Sequence, residues 1–170
     1  MNTLFPDVIE IRSPEIERLL NPIYCSCLLS KFTSSYNSLS QEKLLYPLIF
    51  VCLPLVLQSN TRAVIIKHNK NYGLHRLIRE NPQTLIKLPQ RVESFNSVTK
   101  DALLFGVNYG LLDIEVEYST VTSNNKLMRQ INKAFDNGEE AQPFKASELL
   151  GYWFAQLSAA EVLLHLGIQF

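Results

Sequence analysis

The stretch LLYPLIFVCLPLVL, Leu44 to Leu57, holds fourteen residues without a charge or an amide. A run of that kind has no face to offer water, so it predicts a segment buried on all sides. It is too short for a membrane span, which needs about 20 apolar residues. Pro47 suits the first turn of a helix, where a missing N–H is not needed. Pro54 removes the bond to the Phe50 carbonyl, so a helix from Pro47 should kink or stop there. The expected centre of the fold is this buried helix, with the other elements arranged around it.

The remaining 156 residues divide by charge, with 170 in all. Lys and Arg number 16, Asp and Glu also 16, and the net charge is zero. Global charge therefore predicts no affinity for nucleic acid or for a membrane surface. Residues 61–100 differ from the average. They carry eight basic side chains and two acidic ones, a net of +6, whereas residues 101–170 carry four basic and nine acidic, a net of −5. Arg62, Lys67, Lys70, Arg76, Arg79, Lys87 and Arg91 are the candidate contacts for an acidic partner or for nucleic acid. Exposed faces usually mix signs. Lys67, Lys70, Arg76 and Arg79 stand out because their segment includes an outward loop, Lys67–Gly73.

Cys25, Cys27 and Cys52 lie in apolar surroundings and form an odd set. They predict buried free thiols, which suits a reducing cytoplasm. The N-terminus reaches Asp7 and Glu10 without a basic start or an apolar core, unlike a signal peptide.

The helix signals recur in order. Ser13-Pro14-Glu15 and Asn21-Pro22 are each a capping residue followed by proline, and the second opens a helix to about Asn37. Leu28, Phe32 and Tyr36 form its apolar stripe. Ser59-Asn60-Thr61 reads as a turn or cap. Helices are expected over 74–80 and from Asn81-Pro82 onward. Thr99 is expected to cap a helix to about Tyr109 with Leu103, Leu104, Val107 and Leu111 inward, and Gly106 suggests a close helix neighbour. The period then changes to two: Leu112, Ile114 and Val116 alternate with Asp113, Glu115 and Glu117. Tyr118 to Thr122 returns as the second strand of a hairpin. Asn124 or Asn125, Ser147 and Ser158 open three further helices, the last with the capping box Ser158-x-x-Glu161. Gly167 ends it. The sum is a mainly α, single multi-helix domain over 1–170 with one small β-hairpin.

The helix and hairpin over 99–122 resemble the second half of a winged helix, with the winged-helix-like part near 96–135. In a DNA reader that helix should carry base-contacting side chains and the wing should be basic. Here the wing carries three acids. Asp113, Glu115 and Glu117 therefore form an alternative, protein-docking strand.

No G-x-S-x-G, Walker lysine loop, G-x-G-x-x-G, C-x-x-C or H-x-x-x-H is present. The expectation is a chain that is not an enzyme and takes no cofactor or metal.

Asn21-Pro22, the run Leu53–Leu57 continuing to Thr61-Arg62, Thr99–Leu104 ahead of a hairpin, Gly151-Tyr152-Trp153-Phe154-Ala155 and Leu166-Gly167-Ile168 together resemble the middle component of bacterial three-component ABC systems. Menshen-type systems look related. The resemblance implies a small protein encoded with an SMC- or RecN-like ATPase and a third protein, acting in defence against phage. It implies an adaptor subunit linking those two partners, and it supplies no catalytic residues. The alternative reading is a winged-helix-type DNA-binding module or regulator.

Overall fold

Asn21 and Pro22 set the spine of the molecule. In the computed structural model, which describes residues 19–169, the Asn21 side chain accepts from the Ile23 N–H and opens helix α1 (Pro22–Leu39). The expected helix start at Ser13 lies outside the described residues. α1 is buried nearly all round between Tyr24 and Ser30, so its polar residues must be satisfied within the helix. Ser30 Oγ donates to the Ser26 carbonyl and Thr33 Oγ1 to the Leu29 carbonyl.

The partner of that spine is α9 (Ala141–Ala155), which packs along α1 more extensively than any other element. Phe32 and Phe154 meet edge to face, with centroids 5.3 Å apart. Gly151 permits the approach: a Cβ there would lie 2.5 Å from the Phe32 carbonyl oxygen and 2.7 Å from Ser35 Cβ. The α1–α9 pair, not the run at 44–57 alone, is therefore the organising centre.

That run is indeed buried from Leu48 to Val56, but it is three elements rather than one kinked helix. Leu44–Leu45 is a short strand, β1, followed by α2 (Tyr46–Ile49) and α3 (Cys52–Val56). The break falls at Phe50–Val51, where i→i−3 bonds replace the helical ladder. Pro54, lacking an N–H for the Phe50 carbonyl, moves the break upstream and sits inside the first turn of α3.

Ser59-Asn60-Thr61, which reads as a turn or cap, is the first turn of a further helix, α4 (Ser59–Ile66), whose N-cap is Gln58. Then come α5 (Leu74–Glu80), a 3₁₀ turn at Pro82–Leu85, and α6 (Leu88–Ser94). Helix α7 (Asn96–Asn108) begins three residues before Thr99, which is fully buried inside it rather than at its cap. Strands β2 (Leu112–Glu115) and β3 (Thr120–Ser123) are joined by a four-residue turn, Val116 to Ser119, so Glu117 and Tyr118 are turn residues, not strand residues. The three strands form an antiparallel sheet in the order β1-β3-β2, with Leu44 opposite Val121 and Ile114 opposite Val121 on its other side.

Helix α8 (Asn125–Ala134) is capped by Asn124, whose side chain accepts from Lys126 and Leu127. α9 starts six residues before Ser147, which lies inside it and donates to the Pro143 carbonyl. The last helix, α10 (Ala159–Leu166), shows the capping box, and Gly167 closes it at φ +67°. The chain is mainly α. Among the described residues, no single helix is long and apolar enough to cross a membrane.

Candidate functional site

The basic segment does not form one uniform surface. Arg62 Nη1 donates to the carbonyls of Val56 and Leu57 at 3.0 and 3.1 Å, closing the C-terminal end of α3. Arg91 reaches further into the fold. Its Nη2 donates to the Thr84 carbonyl at 2.5 Å, and its Nη1 reaches the Pro54 carbonyl at 3.3 Å, the Gln58 side chain and Thr61 Oγ1. It thereby ties α3, α4 and the 3₁₀ turn to α6. Burial lowers the pKa of both guanidiniums. Arg62 and Arg91, grouped with the contact residues by charge alone, are half-buried and donate to backbone carbonyls of the fold.

The others stay outside. Lys70 Nζ sits 3.9 Å from the centroid of the Tyr152 ring, and the Arg76 guanidinium 4.7 Å from that of Tyr72. Arg76 and Arg79 both lie 3.4 Å from Glu80 Oε1. Tyr72 donates to Glu80 at 2.7 Å, receives Asn81 Nδ2 at 3.1 Å, and stacks on His68. The Tyr72 hydroxyl, then the arginines, hold the Glu80 carboxyl below its usual range. The loop is fastened to α9 by Trp153 Nε1 on the Asn69 carbonyl and Gln156 Nε2 on the Lys70 carbonyl. Lys67 and Lys87 are exposed and, among the described residues, have no acidic partner. Lys70, Arg76 and Arg79 thus lie on a loop and helix held by these hydrogen bonds and ring contacts, and Lys67 is exposed at the end of α4.

The acidic strand is also rearranged by its neighbours. Asp113 and Glu115 lie on one face of β2, and Glu117 projects from the turn. Lys43 Nζ lies 2.7 Å from Glu115 Oε1, and Thr120 donates to the other oxygen at 3.3 Å. Lys43, with smaller help from Thr120, depresses the Glu115 pKa. The sequence pattern could not show this pair, because it joins residues 72 apart. Asp113 and Glu117 remain unpaired among the described residues.

Helix α7 departs most from expectation. Its inner face is Thr99, Ala102, Leu103 and Gly106, while Leu104 and Val107 point outward. The close neighbour of Gly106 is Leu112 of β2 rather than a helix. Tyr109, stacked on Phe105, and the turn residues Val116 and Tyr118 are exposed as well. Sequence reasoning missed these apolar positions because a four-position stripe fits either face of a helix whose small residues, Ala102 and Gly106, let it approach its neighbours.

Clefts open at the surface among the described residues. One, of about 600 Å³, is lined by Tyr46, Pro47, Phe50, Pro89, Val92 and Ile168; another, of about 360 Å³, includes Tyr24, Arg62, Phe135 and Pro143. The three cysteines are buried and free, and burial pushes Cys25 and Cys52 up to about 12. Among the described residues, no three His, Cys, Asp or Glu side chains converge as metal ligands.

Comparison with known proteins adds a family to this geometry. No solved structure matches the chain significantly. Over 85 residues the chain is 32% identical to the DNA mismatch repair protein MutL of Anoxybacillus flavithermus, a match covering 48% of this chain and 14% of that protein. The family described as ABC-three component (ABC-3C) system Middle Component 3 matches residues 9–170. That span takes in the spine α1–α9, the basic segment and the α7–hairpin unit together, and the chain belongs to that family.

Proposed function

We propose that the chain is a non-enzymatic adaptor subunit that joins an ABC- or SMC-like ATPase to a third component of a bacterial antiphage defence complex in the cytoplasm. The observation that carries this reading is membership, across residues 9–170, in a family of middle components of three-component systems. The surface supports it. An adaptor needs two separable contacts, and the chain offers two of different chemistry: the cationic region around Lys67, Lys70, Arg76 and Arg79, with Lys87, and the acidic, apolar region of α7 and the hairpin. The test is co-expression with the other components of its system, followed by size-exclusion chromatography at rising salt. Co-elution with at least one component is expected. A chain that elutes alone at every salt concentration overturns the proposal.

A second reading is a DNA-binding module or regulator. The order helix, short strand, helices, helix, hairpin, with strand order β1-β3-β2, favours it, since winged helices share that order. The name of the MutL relative also concerns DNA. The side chains oppose it: α7 shows Leu104 and Val107 where a reader shows base-contacting groups, and the turn shows Glu117. A duplex titration decides between the two. Phosphate contact must weaken steeply with salt, and no binding at low salt removes this reading.

A further inference from the structure

We infer that the outer edge of strand β2 takes one extended segment of another component of the same system, laid antiparallel along it and carrying a lysine or arginine opposite Asp113. This rests on the adaptor reading and deepens it by assigning how one of its contacts is made.

The hydrogen-bonding phase of the hairpin fixes which groups face outward. In an antiparallel pair, successive residues alternate between bonding the neighbouring strand and pointing away from it. Leu112 stands opposite Ser123, so Leu111 stands opposite Asn124, and the Asn124 N–H donates to the Leu111 carbonyl at 3.0 Å. By alternation Asp113 and Glu115 bond β3, and Leu112 and Ile114 turn their backbone groups outward. The bonds on the other side of β3 agree. The Tyr46 N–H donates to the Ser119 carbonyl at 2.7 Å, which turns Ser119 and Val121 toward β1 and leaves Thr120 and Thr122 to β2.

Those outward groups are open. The strand order β1-β3-β2 leaves β2 at one end of the sheet. Among the described residues, the N–H and C=O groups of Leu112 and Ile114 meet no hydrogen-bond partner. Helix α7 does not cover them. It meets β2 where Gly106 faces the Leu112 side chain, and side chains of a strand stand roughly perpendicular to the sheet. That contact therefore lies over the buried face, not along the edge. An open edge of this kind is a template for a strand from another chain. In such an addition the main-chain bonds supply affinity and alternate side chains supply specificity.

Charge says which strand fits. Asp113 and Glu115 lie on the outer face, and Lys43 at 2.7 Å already holds Glu115. Asp113 has no partner among the described residues. Residues directly opposite each other on neighbouring strands bring their Cβ atoms to about 4.5–5.5 Å, so a basic side chain opposite Asp113 gains a cross-strand pair. A second copy of this chain fits poorly. With Leu112 of one copy bonded to Ile114 of the other, Asp113 would face its own equivalent, and in the next register it would face Glu115; like charges directly opposite are destabilising. The register in the other direction needs Gly110, at φ +72°, as a strand residue. The positions of the incoming strand that flank the basic residue fall on the face of Leu112 and Ile114, which are buried and half-buried, so they should be apolar.

The test follows hydrogen–deuterium exchange at residue resolution in the full chain, alone and in complex with the ATPase and the third component. In the free chain the Ile114 amide is expected to exchange about tenfold or more faster than those of Asp113 and Glu115, and in the complex to slow by about tenfold or more. Two variants accompany it. Ile114→Pro removes an outward N–H without cutting a bond to β3, and Asp113→Lys opposes the basic residue of the incoming strand. Each should lower the affinity for one partner about tenfold and leave the other partner bound. If Ile114→Pro is misfolded by circular dichroism, the exchange data and Asp113→Lys, a solvent-facing change, decide. A complex in which Ile114 exchanges as in the free chain, or an Asp113→Lys chain that assembles like the parent, overturns the inference and leaves the adaptor reading intact. Slow exchange of Ile114 in the free chain, or protection that grows with the concentration of the chain alone, also overturns it. A parent that binds neither component overturns the adaptor reading and this inference with it.

Discussion

Adding one methyl group at Gly151 should cost more than any single change on the surface. The Cβ of Gly151→Ala would stand 2.5 Å from the Phe32 carbonyl oxygen, 2.7 Å from Ser35 Cβ and 3.0 Å from the Tyr36 nitrogen. Two of these three are backbone atoms of α1, which cannot rotate away. α9 must move off α1, and Phe154 and Trp153 move with it, both fully buried. Overpacking of this kind costs about 1–3 kcal/mol, and backbone contact places it at the upper end. Alanine recovers about 1 kcal/mol of helix propensity over glycine. The net loss is about 2 kcal/mol, or a fall of about 4–8 °C in the thermal midpoint for a chain of this size. Gly106→Ala is the control. Its Cβ meets Leu112 Cδ1 at 2.9 Å, the free end of a flexible side chain, so relief and propensity nearly cancel. Urea unfolding followed by circular dichroism measures both. A Gly151→Ala protein within 0.5 kcal/mol of the parent, taking about that as the limit of the method, refutes the account of the α1–α9 joint. So does Gly106→Ala being the worse of the two.

Arg91→Ala should cost about 2 kcal/mol, since it strips a charged donor from the half-buried carbonyls of Pro54 and Thr84, while Lys87→Ala leaves stability within about 0.5 kcal/mol; thermal melts of the two compare them directly. The cysteines should resist a maleimide at pH 8 in the native protein and react fully once unfolded in guanidinium, because burial raises all three thiols; rapid native labelling contradicts this. Glu80, Glu115 and Glu161 have folded pKa values below their unfolded ones, so their stabilisation is present above the ordinary carboxylate range and is lost as pH falls through the folded values. The melting midpoint should therefore hold from pH 8 to about 5 and drop below about pH 4, and a midpoint that rises on acidification would refute the assignment.

Local signals in the sequence survived wherever one residue does a local job. Asn21 and Ser158 cap the helices that the sequence assigns them, Asn124 rather than Asn125 caps α8, and Gly167 stops the last helix. α5 occupies 74–80 as its spacing required. Failures came where a distant neighbour decides. Leu44–Leu45 has no alternation to mark a strand, and becomes one only because β3 offers an open edge. Thr99 and Ser147 look like caps but are swallowed by longer helices, since packing on α1 extends α7 and α9 at their N-terminal ends. The surroundings of the candidate residues were less legible than their charge. Charge marked Lys67, Lys70, Arg76 and Arg79, yet it could not separate them from Arg62 and Arg91, whose partners are carbonyls far along the chain or around a turn. Leu104 and Val107 read as core because nothing local distinguishes a stripe facing the fold from one facing solvent.

The central claim is that this chain links two other proteins. An omission experiment tests it most directly: the ATPase and the third component are co-expressed with and without the chain, and their masses are followed by size-exclusion chromatography with light scattering. The account predicts one peak containing all three when the chain is present, and separate peaks for the two partners when it is left out. Partners that co-elute equally well without it would contradict the account.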